Sequence, residues 1–177
     1  IPFTYLTNSW VDSDDFKIGF EKFLSVVNVV KSVNNLKILQ ISTRPEPFCS
    51  VICNENELIE KFNIHLYPIT LNDVILRMDK VKKEAGTDFE NTVDFIKSLD
   101  KKGDEEKISQ VAALKVAMKE LANEYNCRAV AIQCWDSLEQ NYGCAACVTM
   151  SMLSDKGIPV ACATDIAGAV SMLALTL

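Results

Sequence analysis

The chain of 177 residues is long enough to bury about 70% of its unfolded surface, so a single domain is predicted over 1–177, with a lead-in segment at 1–11. Its composition, 49% hydrophobic and 24% charged, is that of a globular protein and excludes disordered and fibrous classes. The net charge of −6 excludes a general affinity for nucleic acid or anionic lipid, because both need clustered Lys and Arg.

The amino-terminal segment is not expected to be a secretory signal. It reads IPFTYLTNSW and lacks the basic start and apolar centre of a secretory signal. The apolar runs elsewhere are too short to cross a membrane. We therefore expect a cytoplasmic protein with neither a membrane nor a nucleic acid as partner.

From residue 12 onward the chain alternates amphipathic helices with short apolar strands. In the first helix, predicted over 12–33, Phe16, Phe20 and Phe23 recur at helical spacing behind acidic residues that favour a helix start. The segment RAVAIQC, at 128–134, is apolar almost throughout, as expected for a strand with helices on both faces. The predicted strands are 36–42, 64–69, 128–134 and 158–162, and the later helices are predicted near 54–63, 71–81, 89–99, 105–125, 146–154 and from Asp165 onward.

This alternation predicts the fold class. Strands and helices that follow one another are joined by right-handed crossovers, which build a parallel sheet with helices on both faces. The predicted fold is therefore α/β, a doubly wound three-layer sandwich with a mostly parallel sheet of about four strands. Ligands of such sheets bind beyond the carboxyl ends of the strands. The segments to examine for a site are therefore STRPEPF, IQCWD and ACATD.

Two of these strand ends carry residues suited to a polyhydroxylated ligand. Arg44 stands in a proline-rich loop and offers a fork of N–H donors, while Gln133 and Trp135 place an amide beside an aromatic face. These three residues are the candidate substrate-binding residues. The alternative is that Trp135 packs under the sheet edge and Arg44 pairs with a surface acid.

The third strand end carries Asp165. A carboxylate there could move a proton or bind a metal ion, which makes Asp165 the candidate catalytic residue. An Asp at a helix start also commonly accepts backbone N–H bonds as a cap, and this interpretation is favoured. The single histidine, His65, lies inside the second predicted strand and is expected to be packed or hydrogen-bonded rather than catalytic.

The seven cysteines are odd in number and scattered through apolar segments, so reduced thiols that act as small hydrophobic side chains are expected. Cys144 and Cys147 form CAAC, a spacing that could serve redox exchange or metal binding. Buried side chains are the favoured interpretation of this pair, because Cys134 and Cys162 offer no second pair at matching spacing.

Three segments together resemble the L-fucose/L-arabinose isomerase family, and they occur in the family's order. They are KILQISTRPEPFCSVICNENELIEKFNI, RAVAIQCWDSLEQNYG and GIPVACATDIAGAVSML, and the resemblance spans about residues 36–173. It implies that the chain is the second, middle α/β domain of a longer isomerase. Gln133 matches a substrate-binding glutamine of the family, and Asp165 matches the second acid of a strand-end motif.

The resemblance implies a Mn²⁺-dependent aldose–ketose isomerase that acts through an enediol on a free aldose such as L-fucose or D-arabinose. The implied partners are the monosaccharide, the remaining domains and neighbouring subunits. Ala163 stands where the family has a glutamate metal ligand, and the other two ligands are expected beyond Leu177, so no metal ligand is expected to be intact and the chain alone is not expected to catalyse. The alternatives are a non-catalytic sugar-binding or regulatory module, or a thiol or metal module that uses Cys144 and Cys147.

Overall fold

The structure, a computed structural model that describes residues 3–99 and 102–177, has strands and helices in the order that the sequence predicts. Within those residues the strands are β1 (Lys37–Ile41), β2 (His65–Ile69), β3 (Ala129–Ile132) and β4 (Val160–Cys162). The helices are α1 (Asp14–Val33), α2 (Glu55–Phe62), α3 (Leu71–Glu84), α4 (Thr87–Leu99), α5 (Glu105–Glu124), α6 (Ser137–Tyr142), α7 (Cys147–Asp155) and α8 (Ile166–Thr176). A short 3₁₀ turn covers Cys49–Val51, and neither this turn nor α6 is predicted from the sequence.

The strands form one sheet in the order β2-β1-β3-β4, and every neighbouring pair is parallel. Ile38 of β1 lies opposite Leu66 of β2 and Ala129 of β3. At the other edge, Ile132 of β3 lies opposite Cys162 of β4. The all-parallel arrangement confirms the predicted α/β sheet, and all four carboxyl ends therefore meet at one edge.

Helices cover both faces of the sheet, because alternate side chains of each strand point to opposite sides. On one face Leu39 and Ile41 of β1 pack in a core with α3, α5, α6 and α7. On the other face Ile38 packs with α8 and with the partly buried Leu58 of α2. All four residues of β3 are buried, as predicted for a strand between two helical layers. The doubly wound three-layer sandwich is confirmed.

Helix α1 differs from the prediction in its burial. Its aromatic residues lie on one face as predicted, and Phe16 and Phe20 stack with ring centroids 5.8 Å apart. Yet α1 is described over its whole length and none of its residues is buried, with Phe20 and Phe23 each 46% exposed. The helix lies outside the sheet layers, where Asn28 donates a hydrogen bond to the carbonyl of Leu177 at 2.9 Å. Periodicity reports which side chains share a face, and it does not report what covers that face.

No helix in the described part of the chain combines the length and the apolar character that a membrane crossing requires.

Candidate functional site

The topology of the sheet reverses between β1 and β3. The chain passes from β1 outward to β2 and then returns to β3 on the other side of β1, which opens a crevice at their carboxyl ends. Ser42 follows β1 and Gln133 follows β3, and the Ser42 hydroxyl donates to Oε1 of Gln133 at 2.7 Å. The backbone N–H of Gln133 donates to the carbonyl of Ile41 at 3.1 Å. One of the predicted substrate-binding residues therefore lies at the switch point of the fold.

Ser42 holds the Gln133 amide in one orientation. Ser42 has φ of 65°, a left-handed conformation that is uncommon for serine, and its backbone N–H donates to the carbonyl of Ile69 at 2.8 Å. Nε2 of Gln40 donates to the Ser42 carbonyl at 3.2 Å. With Oε1 of Gln133 engaged, its Nε2 has no hydrogen-bond partner among residues 3–99 and 102–177, so two N–H donors remain for a ligand. Sequence reasoning did not single out Ser42, although it begins the candidate segment STRPEPF.

The end of β4 is tied to the same edge by a strained turn. Ala163 and Thr164 have φ of 54° and 57°, and a left-handed conformation is costly for a β-branched residue such as threonine. The backbone N–H of Thr164 donates to the carbonyl of Ile132 at 3.2 Å, and its hydroxyl donates to the carbonyl of Thr43 at 3.1 Å. The three predicted strand-end segments are thus joined by hydrogen bonds.

Asp165 caps helix α8. Its Oδ1 accepts a hydrogen bond from the backbone N–H of Gly168 at 2.8 Å, which is the capping geometry favoured from the sequence. A Cβ atom at position 168 would lie 2.5 Å from Oδ2 of Asp165, which is too close. The glycine at this position therefore provides the space for the carboxylate. Oδ2 has no hydrogen-bond partner within the described ranges.

The strand ends do not fit a metal ion. Ala163 is 5% exposed and ends in a methyl group, and Oδ1 of Asp165 accepts the capping bond of α8, so Asp165 alone offers one free carboxylate oxygen. In the described residues, no group of three or more His, Cys, Asp or Glu side chains could hold a metal ion. The described residues therefore do not provide a set of ligands for the Mn²⁺ that the family resemblance implies.

Trp135 is held by an aromatic contact and a strained turn. Its ring meets Phe48 edge to face, with centroids 5.4 Å apart at 64°, and 43% of Trp135 stays exposed. Asp136 follows with φ of 64° and ψ of −58°, and the N–H of Ser137 donates to the Trp135 carbonyl at 3.0 Å. These values define a γ-turn of the rare, strained type. Trp135 is thus packed on one edge and open to solvent elsewhere.

Arg44 makes hydrogen bonds within its own loop. One terminal nitrogen donates to the carbonyls of Pro45 at 3.2 Å and Glu46 at 2.8 Å. No carboxylate of the described residues forms an ion pair with Arg44, so pairing with a surface acid, the predicted alternative, is not what the structure shows.

Arg44 also lines a cavity of 150 Å³ at the β1 and β4 ends. Among the described residues, neither Gln133 nor Trp135 lines this cavity. The cavity is lined by Gln40, Arg44, Val51, Ile52, Cys53, Glu55, Thr164 and Ile166.

The cysteines and the histidine occupy structural positions for the most part. Cys144 is buried and burial raises its pKa, the opposite of a thiol activated for redox exchange. Cys147, expected to be buried, is exposed as the first residue of α7, because only one of the two positions faces the core. His65 is exposed, and its Nε2 is hydrogen-bonded to Oδ1 of Asn63 at 2.8 Å.

Comparison with known proteins points to sugar isomerases. The chain is 31% identical over 151 residues to the sulfoquinovose isomerase of Alkalicoccus urumqiensis, an alignment that covers 85% of this chain and 34% of that protein. It is 25% identical over 153 residues to the sulfoquinovose isomerases of Priestia aryabhattai and Priestia megaterium, covering 86% of this chain and 34% of each. The chain therefore spans about a third of the length of the curated relatives it matches. No protein-family model matches it.

These relatives agree with the family resemblance at a coarse level. The sequence segments imply an aldose–ketose isomerase, and the relatives are named as isomerases of a sugar. Their names specify sulfoquinovose, whereas the resemblance implies L-fucose or D-arabinose. The kind of protein is thus supported, and the particular sugar is not.

Proposed function

We propose that this chain supplies one wall of the sugar site in an aldose–ketose isomerase, with other parts of the enzyme completing the site. One observation carries the proposal. A chain similar to sugar isomerases over 85% of its length carries an oriented, partly unused amide, that of Gln133, at the switch point of its sheet. Ligands of doubly wound sheets bind at this place.

The residues of this edge have the chemistry to bind a sugar. Nε2 of Gln133 would donate to a substrate hydroxyl, because the Ser42 hydroxyl already occupies Oε1. The exposed part of the Trp135 indole would cover the apolar C–H face of the sugar ring. Both groups bind and orient substrate, and neither is suited to carry a proton at neutral pH.

Asp165 is the candidate for proton handling. Isomerisation of an aldose moves a proton between neighbouring carbons, and a carboxylate is a suitable base when it lies within hydrogen-bond reach. Oδ1 of Asp165 is used by the α8 cap, which leaves Oδ2 for a substrate hydroxyl. We assign Asp165 both roles, cap and catalytic residue.

The Mn²⁺ requirement is a proposal about the whole enzyme. Ala163 takes the place of the expected glutamate ligand, so no step of the reaction is assigned to a metal held by the residues described here. Ala163 also supports a second candidate function, a module that binds a sugar without converting it. Binding without conversion would distinguish this second function from the first.

Arg44 bears on the choice of sugar. Its guanidinium has five N–H donors, of which one nitrogen is used by the loop carbonyls, and it lacks a carboxylate partner in the described ranges. Its Nε and second terminal nitrogen remain as a pair of parallel N–H donors, and such a pair binds an oxyanion in bidentate fashion. This observation supports a sulfonated aldose, as the relatives' names specify, over L-fucose or D-arabinose. Arg44→Leu should then weaken the use of the sulfonated sugar and leave neutral sugars unaffected.

The proposal is tested by comparing two glutamine variants of the full-length protein. Gln133→Ala removes the proposed donor, and Gln140→Ala makes the same change on the exposed face of α6, where the glutamine side chain has no hydrogen bond to any described residue. Losing one hydrogen bond of about 1.5 kcal/mol should raise KM for the aldose roughly tenfold in Gln133→Ala alone. Equal KM values for the two variants would refute the proposed wall.

A further inference from the structure

Two cysteines that the sequence places 28 residues apart meet at the edge of the candidate site. Cys162 ends β4, and Cys134 follows β3, two residues beyond the Ile132 that lies opposite Cys162 in the sheet. Their Sγ atoms are 2.8 Å apart. Cys134 is 4% exposed, whereas Cys162 is exposed. The sequence does not reveal this pair, because contact across neighbouring parallel strands leaves no fixed spacing along the chain.

We propose that Cys134 and Cys162 are a modification site, which forms a reversible disulfide with a small-molecule disulfide such as oxidised glutathione as the oxidant. The bond would join the segment that carries Gln133 and Trp135 to the segment that carries Ala163 and Asp165. This proposal is independent of the proposed sugar chemistry, because it rests on the two sulfur atoms alone.

The reaction is two successive thiol–disulfide exchanges. Cys162, the exposed thiol, loses its proton and attacks one sulfur of oxidised glutathione, whose S–S bond breaks as a mixed disulfide forms and one glutathione leaves. Cys134 then loses its proton and attacks the Cys162 sulfur, which releases the second glutathione. Two protein thiols are oxidised to a disulfide, one oxidised glutathione is reduced to two thiols, and these take up the two protons.

The geometry sets the order of attack. Burial, together with the neighbouring Cys162 thiol, raises the pKa of Cys134 to about 11, so Cys134 does not begin the reaction at neutral pH. It lies in place to attack only after Cys162 carries the mixed disulfide. No other pair of cysteine sulfurs is in hydrogen-bonding contact in the described parts of the chain, and burial raises the pKa of Cys127 to about 11 as well. The cross-link is therefore specific to this pair.

The test is incubation of the full-length protein with oxidised glutathione, acid quenching and peptide mapping by mass spectrometry. The expected product is one linked peptide pair containing Cys134 and Cys162, with two thiols lost per chain and recovered with dithiothreitol. Cys147→Ser, at another exposed cysteine, should leave the yield unchanged. Cys162→Ser should abolish the cross-link, and circular dichroism would check that this surface variant keeps its fold.

Three outcomes would overturn the proposal. They are a glutathione adduct on Cys162 that never resolves, a cross-link to any other cysteine, and no reaction at either residue. In the first two cases the contact between Cys134 and Cys162 would not lead to a bond between them, and in the third Cys162 would not react with the oxidant.

Discussion

Asp165 is assigned two roles, and substitutions can separate them. Asp165→Asn keeps an oxygen that accepts from the N–H of Gly168 but cannot take up a proton, whereas Asp165→Ala removes both functions. Loss of an N-cap side chain costs about 1 kcal/mol. In a domain of this size 1 kcal/mol shifts the unfolding temperature by about 2–4 °C. Asp165→Ala should therefore unfold about 2–4 °C below Asp165→Asn.

Asp165→Asn and Asp165→Ala should differ in unfolding temperature but lose activity to a similar extent. Thermal unfolding by calorimetry and conversion of aldose to ketose would be measured on the same preparations of the full-length protein. Both variants should lose at least a hundredfold in rate, the loss expected when a general acid or base is removed. Asp104 offers a matched control, because it caps α5 by accepting from the N–H of Lys107 at 3.0 Å and has no role in the proposed site.

Asp104→Asn and Asp104→Ala should reproduce the difference in stability and leave the rate unchanged. Full activity in Asp165→Asn would refute the catalytic role and leave Asp165 as a cap alone. Equal unfolding temperatures for Asp165→Ala and Asp165→Asn would refute the cap.

Three further substitutions test the strained and charged parts of the fold. Gly168→Ala should reduce activity as Asp165→Asn does, because its Cβ would displace the carboxylate, while the gain in helix propensity of about 1 kcal/mol offsets the weakened cap in thermal unfolding. Asp136→Gly should raise the free energy of unfolding, measured by urea titration, by roughly 0.5–2 kcal/mol. Glycine relieves the strain of the γ-turn, and this gain exceeds the entropy that the more flexible unfolded chain gains. A loss of stability would contradict the strain. Burial raises the pKa of the Asp88 carboxylate, but hydrogen bonds from Lys115 and Lys119 of α5 have a larger, opposite effect. The pKa of Asp88 is therefore held below its ordinary value. The ion pairs of Asp88 therefore stabilise the fold above the ordinary carboxyl pKa of about 4, and this stability is lost as pH falls through the lower pKa of the folded state. The difference in free energy of unfolding between the unsubstituted protein and Asp88→Asn should shrink in acid. A difference that does not change with pH would refute the ion pair.

The fold was largely predictable because its signals are local. β3 could be recognised from four consecutive apolar residues, and helix α5 from its acidic start and apolar stripe. Burial was less predictable. The aromatic face of α1 obeys helical spacing as strictly as a core helix does, yet it lies open, because what covers a face depends on tertiary contacts that periodicity does not contain.

The candidate site was predictable only in outline. The strand-end rule brought Gln133 and Asp165 to one edge, as the structure does, but the hydrogen bond that orients Gln133 comes from Ser42, 91 residues earlier in the chain. The contact between Cys134 and Cys162 likewise depends on the sheet register. Side-chain pairs made across strands are invisible until the strand order is known.

The central proposal is that this chain belongs to an aldose–ketose isomerase. Proton NMR of the full-length protein in D₂O, with sulfoquinovose, L-fucose or D-arabinose and with Mn²⁺ either supplied or chelated, tests it most directly. We expect one of these aldoses to lose its C2 proton signal while ketose signals grow, and Asp165→Asn to prevent both changes. If none of the three sugars is converted, with or without Mn²⁺, the isomerase assignment is contradicted.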